Sequence, residues 1–239
     1  SVMRFIKVYT FPVFMLLLLV GLFWFSYQRN QLRELNGFHV EFTNSPRFLD
    51  AISVNKMLTQ NWSVKSFQEK DSLDLSMLEN HLNGISEIKN AEVFMLPQGD
   101  LSVLITERIP TFKVEANPPL FGDAYGAVFP FLPIEDFQLP LFKSDVSSSS
   151  LIETASLIEE FNKDSFLKSE LKTLRLDGTS YSIQLKSYPF EVILGNTASL
   201  NEKIEKLKIF CAFQNIQDSL GGYQKINLTY TNQVVATTP

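Results

Sequence analysis

Glu107 and Arg108 stand side by side just ahead of a proline, an acid and a base close enough in the chain to be considered for proton transfer. Such neighbours usually close a strand as solvated charges or a surface ion pair, and that is the expectation here. Cys211 is the one cysteine, which excludes an intramolecular disulfide and a zinc site built from cysteines. It lies on the apolar stripe of a predicted helix, where a free thiol packs as a small hydrophobe. To act as a nucleophile it would need a base, and the two histidines, His39 and His81, belong to a different stretch of the chain. His81 takes a polar position in mid-helix and is expected at the surface. The sequence contains no H-x-x-x-H, no glycine-rich phosphate loop and no G-x-S-x-G, the spacings that would bring ligands or nucleophiles together. Tyr125 and Phe129, beside a turn, read as packing residues. The chemistry this set supports is recognition; no catalytic residue, cofactor or metal ligand is expected.

The 239 residues carry 45% hydrophobic and 20% charged side chains, proportions of a folding chain. Net charge is -5 and no lysine- or arginine-rich cluster occurs, so nucleic acid is not an expected partner. From Val8 to Gln28 there is no charged residue, and about 20 apolar residues in a helix cross a bilayer core. Trp24, Phe25 and Tyr27 gather at the far end, where amphipathic rings favour the headgroup region. The run is too long and its end too bulky for a cleaved signal peptide. Pro12 is expected in the first turns of this helix, where its missing N–H matters least. Arg4 and Lys7 precede it and Arg29 and Arg33 follow, so flanking charge leaves the orientation open.

Beyond a polar stalk, 29–37, the pattern reads strand (His39–Phe42), helix (Val54–Asn61), helix (Asp74–Gly84), then two strands, Ile88–Leu96 and Asp100–Glu107, joined at Pro97-Gln98-Gly99. After Pro110 come short strands and turns, a connector at Lys143–Ser150, and a helix opening at Ser150 with Glu153 completing a capping box. Its apolar face is Leu151, Ala155, Ile158 and Phe161. Strands follow at Leu171–Leu176, Tyr181–Lys186 and Phe190–Leu194, the first two turning at Asp177-Gly178. Ser199 and Glu202 spell a second capping box before a helix whose stripe is Leu200, Ile204, Leu207 and Cys211. The chain ends in a strand over Tyr223–Tyr230, a turn at Thr231–Gln233 and a last strand, Val234–Thr237. The fold class is α+β: a single transmembrane helix, a strand-helix-helix-strand-strand domain, and a mixed, mainly antiparallel β domain with two helices.

Three stretches in this order carry a resemblance. They are Leu82–Ile85 with Ala91–Val93 and Ile105–Pro110; Phe121–Pro130; and the tail Ile226–Val235. After a single anchor they resemble the bacterial cell-division family FtsQ/DivIB over essentially the whole chain. The run Glu107-Arg108-Ile109-Pro110 matches that family's "E-R-x-P" ending of a POTRA domain, and Asp123–Gly126 its "D-x-x-G" hairpin. Where the family's penultimate strand often ends Arg-Tyr, this chain has Thr229-Tyr230, which puts the arginine's charged contact in doubt. The resemblance implies a cytoplasmic tail, 1–7, whose true start stays open; a transmembrane helix, 8–28; a stalk, 29–37; a POTRA-like domain, 38–109; and a β domain, 110–239. It implies an inner-membrane protein with its bulk in the periplasm at the division septum, a non-enzymatic scaffold that helps recruit and regulate septal peptidoglycan synthesis.

The partners so implied are FtsB and FtsL through the β domain, other division proteins through the POTRA-like domain, and the bilayer through residues 8–28. Edge-strand physics points to the same place, because a terminal hairpin leaves unpaired N–H and C=O groups for a partner strand. The expected partner-binding residues are Tyr230, Thr231, Asn232, Gln233, Val234 and Val235. Two rival readings are a POTRA-containing component of a polypeptide transport or envelope assembly system and an envelope enzyme. The first normally carries a large β-barrel, whose long series of alternating strands is missing here; the second lacks its catalytic groups.

Overall fold

The computed structural model describes residues 2–31, 38–62, 75–97, 100–130, 138–144, 148–217 and 222–238, with side chains of the first helix described from 12 to 26. The chain divides into two compact units, Ser1–Glu107 and Arg108–Pro239.

The first unit opens with α1, Val2–Gln31. It starts well before the uncharged run, so Pro12 falls inside the helix and not in its opening turns as the sequence suggested. A proline there removes one i to i−4 hydrogen bond, which membrane helices tolerate better than most. Every described side chain of α1 is exposed, Phe23 and Trp24 at 77% and 64%. Among the described residues no helix is long and apolar enough to cross a membrane.

A three-stranded sheet follows, built from β1 (Phe38–Phe42), β2 (Ile88–Met95) and β3 (Leu101–Glu107), with α2 (Ala51–Asn61) and α3 (Leu75–Asn83) between the first and second strands. The strand order is β1-β3-β2, β1 parallel and β2 antiparallel to the central β3. Helix α2 begins three residues earlier than its apolar pattern because Asp50 caps it, accepting the Ser53 N–H at 2.8 Å. Val54, Leu58, Leu78 and Leu82 point into one core with Phe38, Ile88, Val93, Val103 and Ile105. Each such side chain, fully buried, contributes roughly 1.5–3 kcal/mol relative to exposure. Of the predicted Pro97-Gln98-Gly99 turn, Gln98 and Gly99 lie outside the described residues.

Glu107 corrects the expectation of solvated charges. It is 9% exposed, and its carboxylate accepts the backbone N–H groups of Arg47 (2.7 Å), Phe48 (3.2 Å) and Leu49 (2.7 Å). The end of β3 thereby fixes the turn leading to α2, far away in sequence. Arg108 belongs to the second unit and donates to buried Asp123 at 2.8 Å.

The second unit holds one nine-stranded sheet in the order β12-β11-β10-β9-β8-β7-β4-β5-β6. The strands are β4 (Pro110–Val114), β5 (Leu120–Asp123), β6 (Val128–Pro130), β7 (Leu141–Lys143), β8 (Leu171–Asp177), β9 (Ser180–Leu185), β10 (Glu191–Gly195), β11 (Lys225–Asn227) and β12 (Val235–Thr237). Most neighbours pair antiparallel; β4–β7, β7–β8 and β10–β11 are parallel. Helices α4 (Ser148–Asn162), α5 (Ser165–Glu170) and α6 (Leu200–Gln217) complete it. Leu151, Ala155, Ile158 and Phe161 of α4, with Ile204, Leu207 and Cys211 of α6, join Leu174, Tyr181, Ile183, Val192 and Ile226 of the sheet in a single core. The stripes read from the sequence are therefore the packed faces, Leu200 being only partly buried.

Two expected caps and one expected packing residue differ here, and one helix, α5, has no counterpart in the sequence pattern. Helix α4 starts at Ser148, so Ser150 is a helical residue and not its cap. Ser199 adopts φ of 53°, unlike the extended backbone of an N-cap, and Glu202 turns toward the C-terminal loop instead of back to Ser199. Helix α5 is too short to show a period of its own and is set by Asp164, which accepts the Phe166 and Leu167 N–H groups. Near the first turn, Phe129 is buried as expected but Tyr125 is 66% exposed. The carboxylate of Asp123 closes that turn by accepting the Tyr125 and Ala127 N–H groups, both at 2.9 Å. Gly126, at φ of 78°, supplies the left-handed residue.

Candidate functional site

The last strand, β12, forms one end of the nine-stranded sheet and, among the described residues, pairs only with β11. The strand expected over Tyr223–Tyr230 is shorter: β11 ends at Asn227. The Asn227 side chain ends it, accepting both the N–H (2.9 Å) and the hydroxyl (2.7 Å) of Thr229 in a local turn that competes with the ladder. Ile226 and Leu228 are buried, whereas Tyr230 is 48% exposed. Thr231, Asn232 and Gln233 are exposed, Val234 is half-buried and Val235 is 39% exposed. All six expected residues thus lie on one continuous loop and strand start, but Val234 precedes the strand.

Hydrogen-bond parity decides which backbone groups the edge offers. Glu191 donates to the Gln224 carbonyl and Leu228 to the Ile193 carbonyl, each at 2.9 Å. Ile226 and Leu228 therefore turn their polar backbone groups toward β10, and Lys225 and Asn227 turn theirs toward β12. Gln224, just before the strand, splits its own, its carbonyl accepting from Glu191 and its N–H donating to the Thr237 carbonyl at 2.8 Å. Lys225 lies opposite Thr237 and Asn227 opposite Val235. Val235 and Thr237 direct their N–H and C=O groups inward, and those of Ala236 face outward along the open edge. Ala236 was not among the residues expected from the sequence; side-chain alternation says nothing of backbone parity.

The loop before β12 is braced by the first turns of α6. Lys206 donates to the Tyr230 carbonyl at 3.1 Å and pairs with Glu202 at 2.8 Å. The Lys206 ammonium beside it, together with the Asn232 N–H that it accepts, holds the Glu202 carboxyl below its usual range. Asn232 sits at φ of 59°, a left-handed conformation asparagine tolerates better than most residues. One turn away Lys203 is 6% exposed and donates to the Asn196 carbonyl at 2.7 Å. Burial, followed by repulsion from Lys206, pushes its ammonium below the usual lysine range. The i, i+4 spacing of Glu202 and Lys206 is visible in sequence as a helix pair; its second job, on a loop some 25 residues later, is not.

What this arrangement offers is backbone hydrogen bonds and exposed side chains on a loop tied to α6. A polar cleft of about 910 Å³, lined by Glu115, Lys143, Glu153, Arg175 and Asp177 among others, shares no residue with the terminal hairpin. Among the described residues no group of three His, Cys, Asp or Glu side chains is placed to hold a metal. Cys211 is 1% exposed, and burial pushes its thiol up to about 12. Since the thiolate is the reactive form, a disulfide reagent at pH 8 is expected to leave Cys211 unmodified in the folded chain and to label it fully in denaturant. Because the folded pKa is the raised one, this thiol's contribution to stability should decline as pH climbs above the unfolded value near 8.5.

The family model described as FtsQ/DivIB, C-terminal related, matches residues 109–237, the stretch that runs from β4 to the last residue of β12. The chain belongs to the FtsQ/DivIB family. No curated protein matches it. The FtsQ/DivIB match makes this a member of a cell-division family and covers the whole nine-stranded sheet with its three helices. The exposed loop and edge strand described above close the matched region.

Proposed function

We propose that this FtsQ/DivIB-related chain is a non-enzymatic scaffold of the division machinery, with the β12 edge as its partner-binding site. The observation that carries the reading is the outward-facing Ala236 backbone at a sheet end, next to a braced loop that exposes Tyr230, within the family-matched region. In this proposal FtsB and FtsL are the partners, and an extended segment of one adds to β12. Backbone bonds to Ala236 give affinity, and Tyr230 through Val235 give register and specificity. Residues 38–109 form a POTRA-like domain that contacts other division proteins; support comes from the order β1-α2-α3-β2-β3 and its own core. Residues 8–28 form the single membrane crossing, supported by the uncharged run from Val8 to Gln28 and the exposure of α1's apolar side chains. The β domain, 110–239, then lies in the periplasm at the septum.

Tyr230→Ala tests the partner site. An exposed tyrosine at an interface centre is a frequent hot spot, so affinity for the FtsB–FtsL pair should fall by about five- to thirty-fold, roughly 1–2 kcal/mol. Because Tyr230 is nearly half exposed, the melting temperature should hold within about a degree or two. Unchanged binding in a titration of the full chain in detergent micelles would remove Tyr230 from the interface. The membrane crossing is tested separately by fusing alkaline phosphatase after Pro239. An active enzyme is expected, and an inactive one beside a fluorescent cytoplasmic reporter would reverse the topology.

A further inference from the structure

The sheet of the first unit has an edge of its own at β2, and the molecule treats it very differently from β12. Leu96 donates to the Asp100 carbonyl at 2.8 Å, which together with the pairing of Phe94 with Ser102 and Glu92 with Leu104 fixes the parity. Even-numbered residues of β2 bond to β3, and Ala91, Val93 and Met95 turn their backbone groups outward. A strand of eight residues with such an edge is a ready template for another chain. Two side chains of α3, one turn apart, occupy it. Asn83 accepts the Ala91 N–H at 2.9 Å and donates to the Ala91 carbonyl at 3.5 Å, the second bond at the limit of useful length. Glu79 accepts the Val93 N–H at 2.9 Å. The amide of Asn83 offers the same donor and acceptor pair as a peptide group, so it stands where a neighbouring strand would put its own backbone.

We propose that Glu79 and Asn83 form a latch that closes the β2 edge against strand addition, in particular against β2 of a second copy of this chain. Copies held side by side at a membrane would meet at high local concentration, and β2 is the long edge of the first unit's sheet. The latch covers Ala91 and Val93, the middle of the strand, and leaves the backbone of Met95 beyond it. Partner strands are thereby turned away from the first unit's β2, while among the described residues no side chain bonds to the Ala236 backbone of β12 in the same way.

The test uses the full chain in detergent micelles and a fluorophore-labelled synthetic peptide of residues 88–95, the β2 sequence itself. The Glu79→Ala/Asn83→Ala variant should bind this peptide at least about tenfold more tightly than the parent chain. Equal binding by both would overturn the latch. Amide exchange supplies a reading that does not need the double variant to fold. Asn83→Ala should speed exchange at Ala91 while sparing Val93, and Glu79→Ala the reverse. Glu79→Gln, which keeps an acceptor oxygen, should leave Val93 protected. Protection at both amides unchanged in the single alanine variants would show that these side chains do not close the edge.

Discussion

Ala236→Pro is expected to lower partner affinity by about five- to hundred-fold while leaving the second unit folded. Proline deletes the N–H that points out of the sheet and places its ring where an added strand would pair. One or two interface hydrogen bonds lost beside groups that stay buried correspond to about 1–3 kcal/mol. No native ladder bond is removed, since Val235 and Thr237 hold β12 to β11. Val235→Pro is the informative contrast. Its N–H faces Asn227, so proline there should detach β12 from β11 and reduce both binding and stability. Isothermal titration with the partner, alongside thermal melts of each variant, separates the two. Full affinity in the Ala236 variant would show that no strand adds at this edge and would leave Tyr230 and its loop to bind by side chains alone.

Glu107→Ala should be the most destabilising single change in the first unit, by about 3–5 kcal/mol. The substitution takes the acceptor from three backbone N–H groups around the buried Phe48. A hydrogen bond to a charged group is worth about 1.5–3 kcal/mol, and a buried donor left without an acceptor adds its own desolvation penalty. For a unit of this size, with about 4–8 °C per kcal/mol, the unfolding midpoint should fall by tens of degrees or the unit should fail to fold. Glu107→Gln should be intermediate. Its one oxygen can serve Phe48 and Leu49, but its amide then points a donor at the Arg47 N–H. Denaturant melts of the full chain, followed through Trp62, which packs partly buried against this core, measure the effect. Alanine and glutamine variants as stable as the parent would mean that the turn into α2 holds without the carboxylate.

Residues that look chemical in the sequence serve the architecture: Glu107 ties a turn, Arg108 neutralises the buried Asp123 that closes another, and Cys211 packs among Ile204, Leu207 and Ile226. A buried carboxylate persists only where several donors or a cation compensate its desolvation. Asp123 and Glu107 each have that compensation.

The sequence by itself determined the α+β class, the packed faces of the helices and the turns at Asp177-Gly178 and after Asp123. All of these follow from local periodicity and turn chemistry, which neighbours in the chain supply. It also carried the family, through short motifs whose order is a property of the chain. The caps at Asp50 and Asp164 are local in the same sense, since each aspartate accepts from N–H groups two or three residues further on. Only the tertiary structure decided the strand order that leaves β12 and β2 as edges, because pairing depends on strands far apart in sequence, such as β10 with β11 and β1 with β3. It alone gave the backbone parity that selects Ala236 over Val235, since a period of two in side chains fixes their faces but not which neighbour receives the N–H. The backbone partners of Glu107, Glu202, Lys206, Glu79 and Asn83 were likewise out of reach. Each of these side chains bonds to backbone N–H or C=O groups, and backbone groups are the same at every residue whatever the sequence spells.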